Sequence, residues 1–148
     1  MKKVLKNTPE LLVIAFGLVL LRYLLIQNHP FPVPPPSAIQ SDEPADTEIP
    51  NRRAYFTKYT RDQVIAHYKA QLEYIPVVRL NYPPEEANRI IRDQTKSWYL
   101  EELVHPLRSS VFINGFIPQR DSDRIFINGE QYYPVSYTHL TLPTKRIV

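Results

Sequence analysis

The chain has 148 residues, 18 basic against 15 acidic, 15 prolines, three glycines and no cysteine. That length allows one small domain beyond an anchoring segment. The missing cysteines exclude disulfides, thiolate metal sites and a lipid-modified cysteine, and three glycines leave almost no room for a glycine-rich phosphate loop.

Residues 1–8 carry Lys2, Lys3 and Lys6 and read as a basic cytoplasmic N-terminus. Pro9–Gln27, PELLVIAFGLVLLRYLLIQ, is apolar on every face. Roughly twenty helical residues, rising about 1.5 Å each, cross a hydrocarbon core of about 30 Å, so the stretch predicts a transmembrane helix. Pro9 fits a first helical turn, and Pro30 and Pro32 forbid continuation. Arg22 lies toward the outer end, where its stem can run along the helix and its guanidinium can reach the headgroups. No A-x-A pattern follows the apolar run, so the segment predicts an uncleaved signal anchor. The lysines before it predict a cytoplasmic N-terminus and an extracytoplasmic remainder, in a single-pass protein of the cell membrane.

Residues 28–51 hold seven prolines between Pro30 and Pro50, and the second half carries Asp42, Glu43, Asp46 and Glu48. Pro30–Pro36 favours an extended polyproline conformation, and the acidic half has too little apolar surface to fold. A disordered spacer is the expectation. A ligand for a proline-recognition domain is the sharper alternative.

Residues 52–134 are the expected domain. Ala54–Tyr59 predicts a strand. Thr60 and Gln63 have capping-box spacing, and Val64, Ile65, Tyr68 and Leu72 trace one face of a helix over Arg61–Glu73. Tyr74–Leu80 predicts a second strand, entering late because of Pro76. Pro83, Pro84, Glu85 and Glu86 predict the start of a second helix, running to Val104 and ending before Pro106. Ser109–Ile117 predicts a third strand, with Asn114–Gly115 as a bulge or turn. Asn128–Gly129 inside Arg124–Tyr133 predicts a hairpin. The expected fold is α+β, in the order β-α-β-α-β-β-β.

Residues 135–148 read VSYTHLTLPTKRIV. Val135–Thr144 resembles, residue for residue, one reading frame of a transposase-borne sequencing adapter. The resemblance implies a foreign tail and a native frame that leaves this text near Tyr133 or Pro134. Without Lys145 and Arg146 the balance is 16 basic against 15 acidic, so no nucleic-acid argument rests on charge. The alternative is a genuine strand, since the stretch is rich in β-branched and aromatic residues.

Candidate chemistry is sparse. Glu101 and His105 are four apart, but two ligands do not make a metal site, and an exposed helix end is the expectation. His67 reads as a helix-surface histidine. Trp98, Tyr99, Arg92 and Lys96 interleave aromatic and basic groups and are candidates for a contact surface. The domain holds twelve basic against ten acidic residues, which predicts a mixed solvated surface and no nucleic-acid partner. No catalytic, cofactor or metal motif is present.

The expected function is therefore a membrane-anchored extracytoplasmic binding or structural module, working through protein–protein or envelope contacts. Its partners would be the bilayer and other envelope proteins. One alternative is a hydrolase-like envelope enzyme whose remaining residues lie beyond Pro134. Another is a sensory or solute-binding domain, which needs a concave apolar pocket.

Overall fold

The computed structural model describes residues 8–26, 31–47, 50–73, 76–83, 86, 99–118 and 120–141. The chain divides into two compact units, Met1–Pro30 and Phe31–Val148. In the first, α1 spans Thr8–Leu25, with Glu10 in its first turn and Arg22 in its last. It is long and apolar enough to cross a membrane, and none of its residues is buried in protein.

Among the described residues, the second unit is an antiparallel sheet with one long helix. Its strands are β1 (Ile39–Gln40), β2 (Arg52–Thr57), β3 (Val78–Tyr82), β4 (Tyr99–His105), β5 (Ser109–Gly115), β6 (Ile125–Ile127) and β7 (Glu130–Thr141). They lie in the order β1-β2-β7-β5-β4-β3, with β6 paired to the start of β7. The helices are α2 (Pro44–Thr47) and α3 (Arg61–Leu72).

α3 begins as its sequence predicts. Thr60 is extended at φ −68° and ψ 164°, and its backbone N–H donates to Gln63 Oε1 at 2.9 Å. That bond satisfies a donor left open at the helix start. Val64, Ile65, Tyr68 and Leu72 are the buried residues of the helix. They pack with Tyr99, Leu103, Val111, Ile113, Val135 and Tyr137 of β4, β5 and β7. Side chains two apart on a strand share a face, so these positions form one apolar layer under α3. Each fully buried aliphatic side chain there contributes about 1.5–3 kcal/mol.

The hairpin prediction holds. Asn128 and Gly129 take φ 52° and 81° between β6 and β7, the left-handed pair that suits a two-residue turn. The β4–β5 hairpin closes through Arg108 N–H to His105 O at 3.0 Å, with Leu107 at φ 61°. Asn114 and Gly115 remain within β5 and form neither bulge nor turn.

Three expectations need correction. The second helix was expected to reach Val104, but Tyr99–His105 is a strand between β3 and β5. Both faces of β4 are covered, with Leu100 and Leu103 fully buried. A strand buried on both faces reads as a continuous apolar run and loses the alternation that marks strands. Residues 84, 85 and 87–98 of that expected helix lie outside the described residues.

The expected spacer is the second correction, because residues 31–47 belong to the domain's structure. Ile39 and Gln40 pair with Phe56 and Tyr55, and Ser41 N–H donates to Ala54 O at 2.9 Å. Asp46 accepts from Ser41 Oγ at 2.6 Å and from Arg52 Nη2 at 3.2 Å. The acidic half, too polar to fold alone, is fixed by a charge partner on β2.

Third, Val135–Thr141, which the adapter resemblance sets apart from the domain, forms the second half of β7. Val135–Thr141 pairs with β5, while Tyr133–Thr138 pairs with β2. Its alternation of Val135, Tyr137 and His139 with Ser136, Thr138 and Leu140 suits a central strand.

Candidate functional site

Three clusters of polar groups lie around α3. At its N-terminal end, Glu101 of β4 is fully buried. Arg61, the first residue of α3, donates to Glu101 Oε1 through Nε at 3.0 Å and also through Nη2. Arg79 of β3 donates to Oε2 at 2.5 Å and to Oε1 at 2.8 Å. Arg61 Nη2 further donates to Asn81 Oδ1 at 2.8 Å and its guanidinium lies 5.3 Å from the centre of the Tyr99 ring. Burial raises the Glu101 pKa, but the two guanidiniums outweigh it and hold the carboxyl below its ordinary value. Arg79 is correspondingly raised, chiefly by its hydrogen bonds to Glu101.

At the C-terminal end of α3, His105 is buried beside Ser109. Its Nε2 lies 3.2 Å from Leu72 O, and its Nδ1 lies 3.3 Å from Ser109 Oγ. A carbonyl only accepts, so Nε2 carries the proton and Nδ1 accepts from the serine hydroxyl. Burial lowers the His105 pKa, with a smaller opposing effect from the Leu72 carbonyl. The negative end of a helix ordinarily favours an imidazolium; here desolvation wins. His139 is lowered for the same first reason, with His105 adding to it. Ser109 and His105 are each only 2% exposed, so the hydroxyl is enclosed by protein.

The third place is the outer side of α3. Gln71 Oε1 accepts from Val33 N–H at 2.8 Å, and Gln71 Nε2 donates to Val33 O at 3.0 Å. His67 Nε2 lies 2.8 Å from the same carbonyl. His67 also sits edge-on between Tyr59 and Tyr68, with ring centres 6.4 and 5.4 Å away. Phe31 packs edge-on against Tyr137 at 5.7 Å, with the Arg53 guanidinium 4.4 Å from its ring centre.

Of the expected contact residues, Arg92, Lys96 and Trp98 lie outside the described residues. Tyr99 does not belong to a contact surface: it is 4% exposed, packs in the core and has its hydroxyl pushed upward by burial. Glu101 and His105 share a strand face rather than a helix face and are committed to different partners. Glu102 points to the opposite face, where it accepts from the Tyr82 hydroxyl. Burial, then that hydrogen bond, pushes Tyr82 up to about 12. Among the described residues no group of three or more His, Asp or Glu is placed to hold a metal ion.

His67 is half-buried and holds chain, so it is not a plain surface histidine. The Gln71 clamp and the two-arginine clamp on Glu101 have no local sequence signal, since their partners lie 38, 40 and 22 positions apart. Compared with family models, with curated proteins and with solved structures, the chain matches none.

Proposed function

We propose that this chain is a single-pass protein of the cell membrane, with a cytoplasmic N-terminus and an extracytoplasmic α+β domain that works by binding other envelope proteins. The observation that carries the anchor is α1 itself: an 18-residue apolar helix with no buried residue. Leu11, Leu12, Val13, Phe16, Val19 and Leu25 are each more than 60% exposed, a large apolar surface that a lipid core would cover. The three lysines before it support the orientation. The binding reading is supported by where the titratable groups are spent. Glu101, His105 and Glu102 each serve an internal contact.

The absence of cysteine makes the test direct. Lys3→Cys and Ser122→Cys place one thiol each, before α1 and in the domain. Intact cells exposed to an impermeant maleimide should label the Ser122→Cys chain. The Lys3→Cys chain should label only after permeabilisation, and both should resist alkaline extraction from membranes. The inverse labelling pattern, or release at high pH, sinks the proposed topology.

A further inference from the structure

The outer side of α3 handles Phe31–Pro35 as a receptor handles a peptide. One carboxamide, Gln71, satisfies both the N–H and the C=O of Val33. Val33 is 69% exposed although its N–H and C=O are both bonded, so the backbone is read and the side chain is ignored. Phe31 is the anchor, packed against the core and covered by Arg53. Pro35 is buried, and its carbonyl accepts from Ala38 N–H at 3.0 Å, closing the segment with a turn. Pro32 and Pro34 carry no N–H, so Val33 offers the only amide of the tripeptide and that amide is taken. A prolyl-rich strand is already extended in the free chain, so docking costs little ordering entropy.

We propose that this face is a recognition site for an extended peptide of the pattern aromatic-Pro-x-Pro-Pro, with residues 31–35 as its resident occupant in cis. The binding mode is related to polyproline recognition: a preformed extended segment docks through an aromatic anchor and a buried Pro35, with polar side chains on the Val33 backbone. Its polar part comes from Arg53, His67 and Gln71, all upstream of Val135. The resident strap keeps the site closed, and a protein segment of the same pattern opens it by exchange. The proposal rests on reading the domain as a binding module and names its ligand class.

The test uses the full chain in detergent and a labelled peptide of sequence FPVPPP. Phe31→Ala removes the cis anchor and keeps Arg53, His67 and Gln71 in the chain. This variant should bind the peptide on the order of tenfold tighter than the parent chain, whose site is filled. Adding Gln71→Leu should abolish the gain. A folded Phe31→Ala chain that binds no more peptide than the parent overturns the proposal. Because that variant also thins the core, Gln71→Leu alone is followed by amide exchange. Exchange at Val33 should accelerate on the order of tenfold while Leu103 stays protected. Unchanged exchange at Val33 overturns the proposal equally. Neither failure touches the membrane topology, which the cysteine experiment tests separately.

Discussion

The Tyr99 side chain fills the space beside Gly115, its directly paired neighbour across β4 and β5, where a Cβ would sit. A Cβ at Gly115 would overlap the Tyr99 hydroxyl and ring carbons. The glycine here is required by close approach, since its φ is not in the left-handed region. Tyr99 is buried and cannot swing out without opening the core. Gly115→Ala should therefore destabilise the domain by about 1–3 kcal/mol, the usual cost of overpacking. A urea titration with unchanged slope and a lowered midpoint would bear this out. An unchanged midpoint would mean that the ring has room to move.

The clamp on Glu101 predicts strong coupling between Arg61 and Arg79. Each arginine is partly exposed while the carboxylate is fully buried. Losing one guanidinium leaves the other on the charge, and the cost is modest. Losing both leaves a buried carboxylate without a counter-charge, which costs about 3–5 kcal/mol. Arg61→Met with Arg79→Met should thus exceed the sum of the single effects. A double-mutant cycle in urea measures the excess, and simple additivity would show that Glu101 is not held as a unit.

What could be read in the sequence was local. α3 announced itself because Thr60 and Gln63 sit within one turn, and because Val64, Ile65, Tyr68 and Leu72 repeat at helical spacing. The β6–β7 hairpin announced itself through Asn128–Gly129. β4 did not, because burial on both faces erases the alternation, and its two glutamates look like a solvated helix end. Each glutamate is instead paid off by a residue on β3 or α3. The docking of Val33 was unreadable for another reason. A proline-rich, acidic stretch looks like a tether until the distant partners Gln71, Arg53 and Arg52 are in place.

Three groups make the domain acid-sensitive in the same direction. His105 and His139 have folded pKa values below the ordinary 6.5, burial being the first cause in each. The unfolded chain binds those protons before the folded chain does. Stability is thus complete above about pH 6.5 and falls as pH drops through the folded values. Glu101 is also lowered, so its contribution is present above 4.5 and is lost below that. Tyr68 is raised by burial, so its contribution is present below pH 10 and is lost only on the alkaline side. The unfolding free energy from urea titrations should be flat from about pH 7 to 9 and fall toward pH 5, by at most about 1.4 kcal/mol per pH unit for each histidine. His105→Gln should remove part of that slope and leave the part due to His139. A midpoint that rises on acidification would contradict the burial of neutral imidazoles.

The slot between β2 and β5 makes the adapter resemblance testable in structural terms. The slot asks little of the strand that fills it. Backbone groups pair on both sides, apolar side chains are needed at positions 135 and 137 facing α3, and position 136 must be small enough to stay buried on the other face. Val-Ser-Tyr meets those conditions, which is why a segment with the residues of an adapter frame fits a central strand. Amplifying the source locus through the codons after Tyr133 should give a sequence that leaves Val-Ser-Tyr-Thr-His-Leu at or near Pro134. It should still carry an apolar residue at 135 and an aromatic or branched one at 137. Genomic codons for Val-Ser-Tyr-Thr-His-Leu would make the strand native as written. A divergent frame without that alternation would mean that β7 ends near Pro134 and that β2 and β5 need another neighbour. In that case an extended synthetic peptide should stabilise a chain cut after Pro134, and a missing rise in its melting temperature would exclude a strand-accepting slot.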